Sequence, residues 1–261
     1  MKLTSNFPKF LCAAFILTGA ASTASAHDYW VNAQNGELGK VLKVETGYGH
    51  EFSKAEAIPS DRADIFNPAS LLSKDGEIAL KKGAENFDFY TEAPVSKGTY
   101  IAVATYKPTF WSEDADGKWL IKSKKEMPDA RQCELAARWA KSIVNIGGAS
   151  DDYVTKPLGH TLELVPLKNP SEIKVGEVFT LQLLLNGRPR IGAKVYGTFE
   201  GFNADPSAKA FFGVTNEKGQ IPFIALKKGY WHVFAETTRP YSDTAVCDKE
   251  LLDASLTFNV E

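Results

Sequence analysis

Four histidines are the residues of this chain whose type and position are best suited to chemistry. They are His27, His50, His160 and His232, in the segments AHDYW, GYGHEF, PLGHTLELVP and GYWHVF. Neutral imidazole is the commonest protein ligand of transition metals, and it suits nickel, copper and zinc. We therefore predict that the four rings contribute to one transition-metal site, although loop histidines bonded to the backbone and a buried core position for His232 are the competing interpretations.

His27 follows a segment with the properties of a bacterial export signal. Two lysines precede the apolar run LCAAFILTGAA, which is too short to span a bilayer, and Ala24-Ser25-Ala26 has the small-residue pattern of a cleavage site. We expect residues 1–26 to be a signal peptide, cleavage after Ala26 and a periplasmic product. Cleavage after Ala24 is the alternative, and it would leave His27 in third place.

Cleavage after Ala26 would give His27 a chemistry that an internal histidine lacks. The free amine, with a reference pKa of about 7.7 to 8.0, and the imidazole, at about 6.5, can close one chelate ring around a metal. Such a nitrogen-rich set favours copper(II) or nickel(II), and His50 is the first expected partner. Three acids lie near histidines in the sequence and are candidates to orient the rings through hydrogen bonds, or else are ordinary surface carboxylates: Asp28, Glu51 and Glu163.

The composition of the chain excludes some classes of partner. The whole chain has 30 basic and 32 acidic side chains, and loss of the two leader lysines leaves a formal charge of −4. This balance does not suit a nucleic-acid-binding surface, and beyond the leader we expect no membrane span. The sequence contains no G-x-S-x-G, HExxH or phosphate-loop motif, so no catalytic residue is assigned.

The two cysteines that follow the leader are Cys133 and Cys247. An even pair in an oxidising compartment predicts one disulfide bond, although two free thiols remain an alternative. A thiolate metal site is less expected because neither cysteine has a CxxC or CxxH neighbour.

The chain is predicted to be mainly β, with two β-sandwich-like domains at 27–155 and 156–261. Short segments rich in β-branched and aromatic residues alternate with turn formers, which is typical of antiparallel sandwiches. In the second, immunoglobulin- or transthyretin-like domain, Asn186-Gly187 predicts a hairpin between VFTLQLLL and GAKVYGTFEGF. One packing helix is predicted near 129–141, because Cys133, Ala136, Ala137 and Ala140 recur at helical spacing after Pro128.

Several of these segments together resemble one known family. AHDYW, LGHTLELVPLKNP, VGEVFTLQLLLNGRPRIGAKV and TNEKGQIPFIALKKGYWHV are similar to a bacterial exported family of domains of unknown function, described as the periplasmic component of nickel and cobalt uptake systems. The likeness covers nearly the whole mature chain. It implies a β-rich periplasmic protein that binds nickel or cobalt and serves a membrane transporter. It supports His27, His50 and His160, which lie in matching segments, but not His232.

Two other functions compete with metal capture. An N-terminal histidine with a second histidine resembles the copper brace of oxidative polysaccharide-cleaving enzymes, with copper as the cofactor. The third alternative is an interaction module, in which the immunoglobulin-like domain binds another protein and the histidines are incidental.

Overall fold

The computed structural model describes residues 27–33, 36–84, 87–202, 205 and 207–261, so the predicted signal peptide lies outside the described residues. Within them the chain consists mainly of strands, which confirms the predicted mainly β class. None of the helices there is long and apolar enough to span a membrane. The strands are β1 (Asp28–Asn32), β2 (Lys43–Gly49), β3 (Ser70–Ser73), β4 (Gly76–Ile78), β5 (Leu80–Lys82), β6 (Asp88–Thr91), β7 (Gly98–Glu113), β8 (Trp119–Leu120), β9 (Gln132–Ile146), β10 (Leu162–Pro166), β11 (Val178–Leu185), β12 (Arg188–Pro189), β13 (Lys194–Phe199), β14 (Phe211–Val214), β15 (Gln220–Ile224), β16 (Gly229–Pro240) and β17 (Lys249–Val260). The 3-10 helices are η1 (Ser60–Ile65), η2 (Asp152–Thr155) and η3 (Pro170–Glu172).

The described strands form three sheets. The central sheet has the order β14-β13-β16-β17-β9-β7-β3-β4, with β8 added beside β7. The first sheet has the order β1-β2-β6-β5, and the third sheet joins β10, β11, β12 and β15. β17 pairs with β9 in parallel, whereas all the other named strand pairs are antiparallel.

The central sheet is covered on both faces, and alternate residues of its strands enter two different cores. In β7, Ile101 and Val103 pack with residues of the third sheet, whereas Tyr100, Ala102 and Ala104 pack with residues of the first. This alternation follows from the two-residue period of a strand. The fold is therefore three layers of sheet. In the first sheet, the β1–β2 ladder positions His27 and His50.

The helix predicted near 129–141 is wrong, because this segment lies mostly in β9. Ala137 faces the core beneath the third sheet, whereas Ala136 and Ala140 face the core beneath the first sheet. A strand buried on both faces has apolar residues at nearly every position, and its pattern can therefore imitate helical spacing. The helix propensity of alanine is overridden here by pairing with β7 and β17.

The hairpin predicted at Asn186-Gly187 forms, but with a different partner. Both residues have positive φ, 51° and 71°, as a type I′ turn requires. β11 pairs across this turn with the short β12, while β13 joins the central sheet beside β16.

The domain boundary predicted near residue 155 stays a prediction, and the β9–β17 pairing joins strands from both sides of it.

A disulfide bond joins Cys133 to Cys247 across 114 residues of sequence. Both cysteines are fully buried. The bond ties the start of β9 to the connection between β16 and β17. Asp248 strengthens this junction, because its carboxylate accepts a 2.8 Å hydrogen bond from the Cys133 amide.

Candidate metal-binding site

The pairing of β1 with β2 brings two of the four histidines together. Asp28 pairs with Gly49 at the end of this antiparallel ladder. His27 and His50 are the next residues outward on each strand, so the register places them opposite each other. Their ring centroids lie 4.0 Å apart.

The segment after His50 folds back and adds a carboxylate to the pair. The amide of Glu56 donates a 2.8 Å hydrogen bond to the carbonyl of Tyr48. A β-carbon on Gly49 would lie 3.1 Å from the Lys54 carbonyl oxygen and 3.2 Å from Glu56 Cγ. Gly49 ends strand β2, and its lack of a side chain makes room for this returning segment.

Glu56 contacts both histidines. Its Oε1 lies 2.7 Å from His50 Nδ1 and accepts a 3.0 Å hydrogen bond from the His50 amide, while its Oε2 lies 3.2 Å from His27 Nε2. One ligand atom from each of the three residues can be chosen so that all lie within 4.8 Å of one another. Two imidazoles and a carboxylate at this spacing can hold one transition-metal ion.

The electrostatics of this cluster favour the ligand forms of its residues. Burial lowers the pKa of His27, and His50 lowers it further, so the ring is neutral over a wider pH range. The hydrogen bond from the His50 ring lowers the pKa of Glu56 and keeps the carboxylate ionised. The side chain of His27 is 26% exposed and that of Glu56 is 46% exposed, so a metal ion could reach both from solvent.

Two contacts fix the position of His27. Its ring stacks on Tyr48 with centroids 4.3 Å apart and planes 8° from parallel. Its backbone carbonyl accepts a 2.6 Å hydrogen bond from Arg138 Nη1, and the same nitrogen lies 3.0 Å from Asp253 Oδ2. The position of His27 therefore depends on a partly buried ion pair of the central sheet.

His160 is not part of this three-residue group. It lies before β10, and its amide donates a 3.2 Å hydrogen bond to Glu163. Glu163 also accepts hydrogen bonds from the amides of Leu158 and Gly159 and pairs with buried Lys141 at 2.7 Å. The carboxylate thus organises the loop before β10 and does not orient the ring of His27 or His50.

His232 is completely buried in the central sheet. Its ring stacks between Phe52, at 4.9 Å, and Phe234, at 5.3 Å. Burial lowers the pKa of His232 to about 3, which keeps the ring neutral. It shares with His27 the lining of a narrow cavity of about 40 Å³, but it does not belong to the group of three.

The remaining predicted carboxylates pair with lysines. Asp28 lies 3.5 Å from Lys209 Nζ, and Glu51 lies 2.8 Å from Lys54 Nζ. The acid that contacts both rings is Glu56, which the sequence analysis missed. Nothing local marks it, since Glu51 is nearer to His50 in sequence and only the folding of residues 50–56 selects between them.

The fold and this cluster define a three-layered β protein with a candidate transition-metal site at one end of the β1–β2 ladder. The chain belongs to the family described as "Domain of unknown function (DUF4198)", whose model matches residues 24–239.

One curated relative, an "Uncharacterized protein" of Haemophilus influenzae, is 25% identical over 241 residues, which cover 92% of this chain and 93% of the relative. Among solved structures, the D0-D1 domain of intimin is 12% identical, with 87% of this chain and 96% of that chain covered and a TM-score of 0.21. The full ectodomain of mouse nectin-like molecule 4 is 10% identical, with 89% of this chain and 64% of that chain covered and a TM-score of 0.20.

Proposed function

We propose that the mature protein is a periplasmic, non-catalytic metal-binding protein that captures nickel or cobalt for an uptake transporter. The observation that carries this proposal is the convergence of His27, His50 and Glu56, whose ligand atoms lie within 4.8 Å of one another. The metal is cargo in this function, so the site must release it as well as bind it. A cluster that is partly exposed to solvent suits such an exchange.

The choice of metal follows from the donor atoms. Imidazole nitrogen suits nickel, copper and zinc, whereas calcium and magnesium prefer sites made of oxygen alone. The resemblance of the histidine-containing segments to a family described in terms of nickel and cobalt uptake supports these two metals as cargo. Copper is the alternative, because nitrogen-rich sites bind copper(II) more tightly than nickel(II) or cobalt(II).

Removal of the leader would add a donor to the site. A free amine on His27 can chelate a metal together with Nδ1 of the same ring, whereas Nε2 is the nitrogen that faces Glu56. The two binding modes therefore use different atoms of one residue. A site of two imidazoles and Glu56 tolerates an extra residue before His27, but an amine chelate does not.

Native mass spectrometry with equimolar nickel(II), cobalt(II) and copper(II) tests this function on the mature chain. We expect one metal ion per protein. The variants His27→Ala, His50→Ala and Glu56→Gln should each weaken metal binding by at least about 10- to 100-fold. Losses of this size are typical when a residue that only orients a metal ligand is removed, and removal of a ligand itself should cost at least as much. His160→Ala is the matched control and should bind as the wild type does.

The outcomes separate the alternatives. A chain that begins at Ala26 and binds metal normally would assign the site to the two imidazoles and Glu56, whereas a large loss would assign it to the amine. Equal weakening by His160→Ala would contradict the geometry of the site. A protein that binds none of the three metals overturns the proposal, and copper-dependent oxidation of a glycan would favour the enzyme alternative.

A further inference from the structure

A cleft of about 410 Å³ lies directly beside the metal-binding cluster. His27 and Tyr48 form its end nearest the cluster, and η1 and the central sheet supply much of the remaining lining. This volume is within the range of about 300 to 1,000 Å³ that is typical of small-molecule sites. Because His27 belongs to both the cleft and the cluster, a metal bound at His27 would lie at the end of the cleft.

Three neighbouring strands of the central sheet form the floor of the cleft. Leu251 of β17 pairs with Ala136 of β9 and with Thr238 of β16, which makes an uncharged row across the three strands. Ala136 has a short side chain, so this row leaves space above it. The row toward His27 contains Glu236 of β16, Asp253 of β17 and Arg138 of β9, and the last two lie 3.0 Å apart as an ion pair.

The opposite end of the floor carries a second ion pair. Lys249 Nζ lies 3.4 Å from Glu134 Oε2. The partners in these two pairs neutralise each other within the protein, whereas Glu236, which also lines the cleft, has no ion-pair partner among the described residues. A ligand in the cleft would therefore meet an uncharged central strip between two ends that carry charged side chains.

Aromatic rings and one arginine form the walls. Trp111 Nε1 donates a 2.7 Å hydrogen bond to Tyr106 Oη, which holds the two side chains together, and Trp119 lines the same cleft. The guanidinium of Arg62 lies 5.1 Å from the centre of the Trp111 ring. Among the described residues, Arg62 has no carboxylate within ion-pair distance. The flat rings suit a planar ligand, and Arg62 suits a carboxylate on it.

We infer that this cleft binds a planar, carboxylate-bearing organic chelator that carries the metal, with the metal ion bridging the chelator and His27. The inference rests on the proposed function and names the form in which the cargo arrives. His27, His50 and Glu56 provide three protein donors, and nickel(II) accepts more, so a chelator in the cleft can occupy the remaining coordination positions. The carboxylate would face Arg62 and the ring would stack against the aromatic wall.

The test uses the 1:1 complex of nickel(II) with pyridine-2,6-dicarboxylate, a flat dianionic chelator. The complex is titrated into the mature protein and the masses are read by native mass spectrometry, with affinity from calorimetry. We expect a species containing protein, nickel and chelator in equal numbers. Arg62→Gln should weaken chelator retention about tenfold or more, as expected for one charge-assisted hydrogen bond. Binding of nickel alone should change much less than chelator retention, although Arg62 lies near enough to His27 to lower the pKa of its ring.

The controls distinguish the cleft from the metal site. Arg188→Gln, at an exposed position in β12, should behave as the wild type. Benzene-1,3-dicarboxylate has the same shape and charge but lacks the ring nitrogen donor, so it should not form the ternary species. Trp119→Ala is a second cleft variant that should also weaken chelator retention.

Each of the other possible outcomes of this experiment contradicts one specific claim. Protein with nickel but without chelator would overturn the cleft inference and leave the proposed function standing. Equal retention of benzene-1,3-dicarboxylate, or of chelator without nickel, would overturn the metal bridge. An unchanged affinity in both Arg62→Gln and Trp119→Ala would overturn the placement in this cleft. Failure to bind nickel in any form would overturn the proposed function itself.

Discussion

Arg138 of β9 donates a hydrogen bond of 2.6 Å from its guanidinium to the backbone carbonyl of His27. The arginine is itself paired with Asp253 at 3.0 Å, so the position of His27 depends on an ion pair between two strands of the central sheet. Burial raises the pKa of Asp253 to about 7 even though Arg138 lowers it. The ion pair therefore couples the stability of the sheet to the geometry of the site.

We predict that Arg138→Met lowers the free energy of unfolding by about 1 to 3 kcal/mol, because it leaves the partly buried carboxyl group of Asp253 without its cation. The variant should also weaken nickel binding, since the His27 carbonyl loses its donor. Urea unfolding and metal titration measure the two effects. In the double variant Arg138→Met/Asp253→Asn the stability loss should be smaller than the sum of the single losses, and simple additivity would show that the pair is not coupled.

Because His232 is buried, the free energy of unfolding of the protein should depend on pH. Burial lowers the pKa of the folded-state ring to about 3 from its ordinary 6.5. Between these values the unfolded chain binds a proton that the folded chain does not, so stability falls as the pH falls through this window.

His232→Phe removes this proton-binding site. The histidine ring nitrogens have no hydrogen-bond partner among the described residues, and the ring packs between Phe52 and Phe234, so phenylalanine should be accommodated. Relative to the wild type, the variant should gain about 3 kcal/mol when the pH falls from about 7 to about 4. Urea unfolding of both proteins in metal-free buffer measures this, and a difference that does not vary with pH would contradict it.

Replacing Gly49 with alanine should mainly affect metal binding, whereas replacing Gly47 with alanine should mainly affect stability. A β-carbon on Gly49 would contact the Lys54 carbonyl oxygen and Glu56, so Gly49→Ala should displace Glu56 and weaken nickel binding with a small loss of stability. A β-carbon on Gly47 would lie 2.0 Å from the buried Trp30 ring. Gly47→Ala should therefore destabilise the fold by about 1 to 3 kcal/mol, as overpacking does.

Thermal unfolding and metal titration of the two alanine variants separate these effects. Normal nickel affinity in a folded Gly49→Ala protein would show that the position of Glu56 does not depend on Gly49. An unchanged stability of Gly47→Ala would show that Trp30 can move aside.

The Cys133–Cys247 bond closes a loop across 114 residues. Replacing both cysteines with alanine should lower the free energy of unfolding by about 2 to 5 kcal/mol, because the unfolded chain regains conformational freedom. Urea unfolding with and without a thiol reductant measures the effect. The reductant should destabilise the wild type and leave the double variant unchanged; an effect on both would indicate another cause.

The local pattern of residues was sufficient for the β class and for the turn at Asn186-Gly187. Alternation and turn formers act over a few residues, so they can be read without knowledge of the fold. The pairing of Cys133 with Cys247 was also predicted, since the sequence after the leader contains one pair of cysteines. The helix prediction failed at β9 because this strand is buried on both faces. That burial depends on two sheets formed by residues far away in the chain, so no local pattern reveals it.

The sequence by itself determined that histidines are few and that His27 and His50 are the pair to consider. Only the tertiary structure decided which groups join them, because Glu56 reaches the rings through a folded-back segment and His232 is enclosed by aromatic rings. The cleft beside His27 was likewise decided by tertiary structure, since its floor is made by residues from β9, β16 and β17. Residue type sets what chemistry a side chain can do, whereas strand pairing between distant segments sets which side chains do it together.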